Sequence, residues 1–554
     1  MNDLIIRGAT VYDGLGSPGR SADVAIKDGR IASVEELRGK AGAARQTVDA
    51  QGLSLMPGIV DLHTHYDAQV TWDRTMSPSP SLGVTTAVMG NCGFGIAPCP
   101  AERRDTMVKN LSVVEGMDLD ALRTGMRWEF QSFAEYLELL RRSHLYANVG
   151  VFAQHSTIRT AVMGDSASTE TDPSAGQLRQ MQDEVRAAMQ AGAIGFASSF
   201  SPNHSGHGGL PMPSTIAGDA EIRALAGVLG EAKRGVFMMA TGPRATPEFM
   251  EEIAAANGRP AFISTVLTMY NEAEPTRGLT YYERCAAAIR RGHEVYIQTS
   301  CQPLSFDFTL EDPYLLLTHS AFDRVSKRTT ESLADVYRDP KFRQQFRADL
   351  ANPRSGILFY GNWSMVEVDG RTVTALAAER GVDPLDAFFD IALENNLQTR
   401  FVAKLFQNDD KGVAPLLKHA AGVVALSDAG AHLIFMCDAG FGLHFLRHWV
   451  RETGAFPLAE GVRKLTSDPA AKYRIPGRGR IEPGAWADLL LFDPATVGLS
   501  GLVRLHDLPG GGSRMIRKPE GVAGVWVNGT QVFDGKDYVT LAEGPGQVLD
   551  RFEA

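Results

Sequence analysis

The sequence has little cysteine: Cys92, Cys99, Cys285, Cys301 and Cys437, five in 554 residues, odd in number and scattered. That usage excludes a disulfide framework and points to a reducing cytoplasm. No run of about 18 apolar residues occurs, which argues against a membrane span. The first residues, Met1–Gly8, show no basic segment leading into an apolar one, so no signal peptide is expected. Positive charge is also short. Against 65 acidic residues stand 55 basic ones, a net charge of −10. Such a surface has no general attraction for nucleic acid or anionic membranes, so neither is an expected partner; a small-molecule partner and a local basic pocket stay open at this point. Internal repeats and low-complexity tracts are missing, and Pro509–Ser513 reads as a flexible loop. A homo-oligomer is left open.

What remains is a long, ordinary globular chain with two kinds of patterning. Residues 4–57 read as short strands and turns, with a hairpin signal at Lys27-Asp28-Gly29. The far C-terminus has the same character, with the strand-like Ala487–Asp493 and a second hairpin at Asn528-Gly529. Both ends are therefore expected to build one small β-domain, residues 1–57 plus 472–554. Between them, strand-like runs alternate with helical stretches, the pattern of a parallel α/β fold. The runs are Gly58–His65, Val84–Asn91, Ala147–His155, Ala193–Ser199, Gly235–Gly242, Pro260–Thr268, Glu294–Cys301 and Gly422–Gly430. Eight such units close a barrel whose catalytic groups sit at the strands' C-terminal ends. The expected fold is thus a (β/α)8 TIM-like barrel over 58–471, with a small β-sandwich built from both termini. Spacings too long for a plain βα unit place insertions at about 92–146 and 302–421.

The chemistry concentrates in Asp61-Leu62-His63-Thr64-His65, at the end of the first run. Residues i and i+2 of a strand project to the same side, so two imidazoles converge on the barrel mouth, a start for a divalent metal site. The last run ends in Ser427-Asp428-Ala429-Gly430, and closure sets Asp428 beside the histidine pair as a metal ligand or general base. Cys92 ends the second run, and a thiolate there suits zinc. A small buried core residue is the bland alternative for it.

Together these features resemble the amidohydrolase superfamily, supported by Ile6–Gly14 and by Gly477–Leu489. Within it the chain resembles the D-aminoacylase branch, the N-acyl-D-amino-acid deacylases, through Gly90–Gly95, His155–Arg159 and Ser427–Gly430. The resemblance implies hydrolysis of an amide by water activated at a divalent metal. Asp428 takes the water's proton and passes it to the leaving nitrogen. In that branch a cysteine in the Cys92 motif coordinates zinc. The branch also has metal histidines at the ends of strands five and six, where this sequence has Thr241 and Thr265. One ion per chain is therefore expected, zinc first and manganese or iron as alternatives, held by His63, His65, Cys92 and Asp428. His204 and His207, in the glycine-rich Ser201–Gly209, are the nearest substitutes or else gate the site. His155, Arg159, Arg244 and His432 are candidates for substrate binding, the arginines for a carboxylate, and Trp72 and Phe94 for an apolar wall. Two other readings stay open: hydrolysis of a cyclic amide, lactone or carbamate, and a catalytically silent barrel that binds ligands.

Overall fold

The structure, a computed structural model, describes residues 1–35, 42–264, 276–317, 319–328, 330–351, 361–432 and 438–552. Each of the eight apolar runs contains one strand of a parallel sheet. They are β1 (Ile59–Asp61), β2 (Val84–Met89), β3 (Asn148–Gln154), β4 (Gly195–Ser199), β5 (Val236–Ala240), β6 (Ala261–Ser264), β7 (Val295–Thr299) and β8 (Gly422–Val424). Neighbours in sequence are neighbours in space, from β1 to β8. Strand alternation divides their side chains between two cores. Val60, Val88, Phe152, Ala197, Met238, Phe262 and Val423 share the interior cluster. Ile59, Ala87, Val151, Phe196, Phe237, Ile263 and Ile297 belong to the outer cluster with the surrounding helices. Both faces are buried, which is why these strands read as continuous apolar runs.

The circle is completed by backbone contacts beyond the named ends of β1 and β8. His65 N donates to Ala429 O at 2.7 Å, and Asp428 N donates to His63 O at 3.2 Å. Thr64 and Ala429 form a parallel bridge between them. The fold is the expected eight-stranded α/β barrel.

Strands from both ends of the chain join one eight-stranded sheet. Its hairpin turns carry left-handed pairs, Asp28 and Gly29, then Asn528 and Gly529, as two-residue loops require. In Leu489–Phe492, Leu489 and Leu491 enter a core of their own with Leu4, Ile6, Val24 and Trp526. Leu490 and Phe492 face the outer barrel cluster. A polar cluster ties this sheet to the barrel. Buried Asp488 pairs with buried Arg478, accepts from Asn528 N at 2.8 Å, and lies 3.3 Å from Asn148 Nδ2 at the start of β3.

Residues Pro303–Asp410 form a second compact unit, and the rest of the described chain the first. The second has a four-stranded sheet, including Leu304–Phe308 and Phe401–Phe406, and an aromatic core of Phe308, Phe322, Tyr337, Phe342, Phe346, Phe388, Phe389 and Phe401. Among the described residues, no helix is long and apolar enough to cross a membrane. Cys92, Cys99, Cys285 and Cys301 are free and buried; Cys437 lies outside the described residues.

Removing one member of a buried ion pair strands the other. Asp488→Ala is expected to cost about 3–5 kcal/mol. Replacing both partners, Asp488→Leu with Arg478→Met, is expected to cost much less. Chemical denaturation midpoints of the three proteins check this, and a single variant as stable as the wild type would contradict it.

Candidate metal centre

His63 and His65 leave β1 on the same side, and their Nε2 atoms approach to 3.2 Å. Cys92 Sγ lies 3.6 Å from His63 Nε2. Asp428 Oδ1 lies 3.1 Å from His65 Nε2 and 3.6 Å from His63 Nε2. His63, His65 and Cys92 each offer a ligand atom within one small volume, the only such group among the described residues.

The backbone takes uncommon conformations to bring them there. Cys92 (φ 57°), Leu426 (φ 83°), Asp428 (φ 52°) and His432 (φ 54°) are all left-handed. Each such non-glycine residue costs of order 1–3 kcal/mol and persists where its surroundings over-determine it. Gly93 follows Cys92 at φ +78°, and a Cβ there would meet Ser198 Cα at 2.7 Å. The turn presenting Cys92 therefore lies directly on β4. Gly430 has φ +97°, and its Cβ would reach 2.5 Å from the His65 carbonyl.

The outer nitrogens of the two histidines are also engaged. His63 Nδ1 donates to Gln298 Oε1 at 2.7 Å. Gln298 Nε2 donates to Tyr473 Oη at 2.9 Å, which orients the amide. Ser264 Oγ, at the end of β6, also lies 3.0 Å from His63 Nδ1. The His63 proton is therefore on Nδ1 and its Nε2 lone pair faces the cluster. His65 Nδ1 stands 2.8 Å from the Glu115 carboxylate, out of line for a regular hydrogen bond. Beneath them, Asp61 accepts from His63 N at 3.2 Å and from Ser427, bridging the two closing segments; burial pushes its carboxyl up to about 7.

This donor set calls for a cation. Two imidazole nitrogens, a thiol and a carboxylate converge, and a second carboxylate, Glu115, is buried behind His65. Without a metal the cation is a proton. Burial disfavours charge on His65, yet Glu115 and the bond to Asp428 hold its basicity well above the ordinary imidazole value. His63 is pushed down to about 4, chiefly by burial, and so stays neutral. Burial pushes the Cys92 thiol up to about 11. Burial opposes charge on Asp428 too, but the histidines, His65 first, hold it ionised. A divalent ion fits this set, since metals displace protons from thiol and imidazole.

Not every residue singled out in the sequence reaches the cluster as a free group. His155 is fully buried, with Nδ1 on Ser198 Oγ at 2.8 Å and Nε2 on Glu221 Oε1 at 2.7 Å. Arg159 is also fully buried, donating to the carbonyls of Pro213, Glu170 and Thr171 and lying 3.6 Å from Glu221. Protein partners thus occupy the polar atoms of both that a substrate was expected to meet. Arg244 is half-exposed over the Phe200 ring and already paired with Asp219. His432 does come close, with Nε2 3.7 Å from Asp428 Oδ2. His204 packs edge-on against Phe94 at 5.0 Å, and Phe94 stacks on His65 at 5.9 Å, which places Phe94 against the cluster. His207 is exposed on its loop. Trp72 packs over Gly125. Thr241 Oγ1 donates to the Ser264 carbonyl at 2.5 Å, and Thr265 lies outside the described residues.

Sequence reasoning missed Gln298 and Glu115. Gln298 carried a signal, a polar side chain inside the apolar run Val295–Cys301. Glu115 carried none, because an acidic residue after an amphipathic helix reads as solvated surface.

Fold and donor set define a metal-dependent hydrolase on a (β/α)8 barrel. The chain belongs to the amidohydrolase family, which it matches over residues 46–533. It is 29% identical to the N-acyl-D-aspartate deacylase of Alcaligenes xylosoxydans xylosoxydans over 99% of this chain and 95% of that one. A solved D-aminoacylase, described by a binuclear centre with one-metal activation and second-metal attenuation, aligns at TM-score 0.68 and 27% identity, covering 100% of both chains. The N-acyl-D-glutamate deacylase of Bordetella bronchiseptica, complexed with zinc and a phosphonate mimic of the tetrahedral intermediate, aligns at TM-score 0.65 and 26% identity, covering 99% of this chain and 100% of that one.

The Gly430→Ala variant tests how far closure and metal binding are one event. Its Cβ is expected to force the two segments apart, lowering both the melting temperature and the zinc retained after dialysis. Undiminished zinc in a destabilised variant would separate the two.

Proposed function

We propose that this amidohydrolase cleaves N-acyl-D-amino acids to a carboxylic acid and a free D-amino acid, with one divalent ion, zinc first, held by His63, His65, Cys92 and Asp428. The observation that carries the reading is the convergence of these four side chains where β1 meets β8. It is supported by relatives acting on N-acyl-D-aspartate and N-acyl-D-glutamate.

The ion supplies Lewis acidity, making water more acidic and polarising the scissile carbonyl. His63 and His65 are nearly sealed, at 2% and 4% side-chain exposure, whereas Asp428 is 17% exposed. Substrate and water therefore approach from the Asp428 side. One Asp428 oxygen faces the histidines and the other faces His432. Asp428 accepts the proton of the attacking water. It then delivers that proton to the leaving nitrogen, with His432 steadying the carboxylate from its outer oxygen. Phe94 fills the side of the site along His65 and restricts water there.

One ion is supported by the side of the barrel that lacks imidazole. Thr241 spends its hydroxyl proton on the neighbouring strand, and a neutral hydroxyl is a poor zinc ligand. That a D-aminoacylase is activated by one metal is consistent with this count.

Elemental analysis of protein purified without chelators is expected to give about one ion per chain, lost in His63→Ala. Two ions would point to ligands beyond these four, and none under any condition would favour a silent binding barrel. On zinc-loaded enzyme, a panel of N-acyl-D- and N-acyl-L-amino acids, cyclic imides and lactones is expected to show turnover of the D-series. Hydrolysis of the cyclic compounds alone would overturn the substrate class.

Asp428→Asn keeps the side chain's size but removes its basicity. Turnover is expected to fall by about two orders of magnitude or more, and near-normal turnover would refute the proton-transfer role.

A further inference from the structure

We propose that Glu115 is a positioning residue for this metal centre, acting on His65 through its carboxylate and on His432 through its main-chain carbonyl. The inference rests on the metal site proposed above. Glu115 follows helix Arg104–Val114, whose last turn it closes by donating its N–H to the Leu111 carbonyl. It comes from the insertion between β2 and β3 rather than from a barrel strand. Its side chain is 3% exposed and Oε1 lies 2.8 Å from His65 Nδ1. Its carbonyl accepts the backbone N–H of His432.

The two contacts reach the two halves of the site. At 2.8 Å, though out of line for a regular hydrogen bond, the carboxylate's charge favours a proton on Nδ1 and raises the ring's strength as a donor. That leaves His65 Nε2 as the inward-facing atom, beside His63 Nε2 and Asp428 Oδ1. The carbonyl contact holds His432 in its left-handed conformation, with Nε2 3.7 Å from Asp428 Oδ2. A buried carboxylate facing a histidine rather than a lysine or arginine is costly to keep unless that histidine carries positive charge or a cation. The supporting helix is itself braced: Asn110 Oδ1 accepts from His207 N at 2.9 Å, joining it to the loop that holds His204.

The described ends of β5 and β6 carry Thr241 and Ser264 rather than imidazole. Glu115 strengthens the side of the barrel that carries the candidate ligands.

The test uses the full chain stripped of metal. Zinc affinity is measured by competition with a chromogenic chelator, and the cobalt(II)-loaded protein is compared by its visible absorption. Glu115→Gln keeps the shape and removes the charge. It is expected to bind zinc about 10–100-fold more weakly and to shift the cobalt bands, with the metal-free melting temperature little changed. On any substrate the enzyme turns over, kcat is expected to fall with KM nearly constant. Should Glu115→Gln fail to fold, Glu115→Asp takes its place, keeping charge but losing reach, with a smaller affinity loss expected. Unchanged zinc affinity and cobalt spectrum would overturn the proposal, as would a lowered melting temperature with affinity intact. A wild-type protein that binds no zinc would overturn it together with the metal site. A wild type that binds zinc but hydrolyses nothing in the panel would sink the substrate reading alone, since the affinity measurement still decides the role of Glu115.

Discussion

The barrel closes on two backbone hydrogen bonds, His65 N to Ala429 O and Asp428 N to His63 O, and the residues that make them also carry the candidate ligands. Closure and site are thus one structure. A parallel barrel must match its first and last strands in register, and a slip of one residue would turn every side chain to the opposite face. Here the register is pinned where it matters chemically. Asp61 spans the same seam from below, holding His63 N and Ser427. Gly430 has a left-handed conformation, and a Cβ there would also strike the His65 carbonyl. The distance between the histidines and Asp428 is set by main-chain geometry, not by flexible side chains.

That geometry concentrates negative and lone-pair character in a dry place. Left-handed backbone at Cys92, Leu426, Asp428 and His432 adds local strain. Such strain survives only where surrounding structure enforces it, and it gathers at functional sites. The charges tell the same story. His65 is held protonated by Glu115 and Asp428 against the cost of burial, so the metal-free chain already keeps one positive charge at the point of convergence. An ion held there as proposed would displace a proton from His65 and another from the Cys92 thiol. Metal uptake is therefore coupled to proton release and favoured as pH rises.

What could be read from the sequence follows from periodicity. A strand repeats every two residues, so His63-x-His65 announces two convergent imidazoles wherever a strand ends. Eight apolar runs announce a barrel, and a barrel brings Asp428 beside them. Asn528-Gly529 announces its hairpin for the same local reason. What the sequence does not display is which partners from elsewhere in the chain a side chain meets. His155 meets Glu221, and Arg159 meets carbonyls from residues 170, 171 and 213. An arginine after a barrel strand looks available until the structure shows what has already taken its donors. The aromatic core of residues 303–410 was visible only as an over-long spacing.

The arrangement is lopsided in a way that bears on how the site works. The candidate ligand atoms come from the segments just past β1, β2 and β8. The strands across the barrel contribute Ser264 and Gln298, which address the outer nitrogen of His63 rather than its inner one. Those strands therefore set the donor's direction without adding a ligand of their own. An ion held by them as proposed would keep its other side open. Asp428, the most exposed of the four, stands where that opening begins. A carboxylate so placed can face the ion with one oxygen and His432 with the other, so ligation and proton transfer need not compete for the same atom.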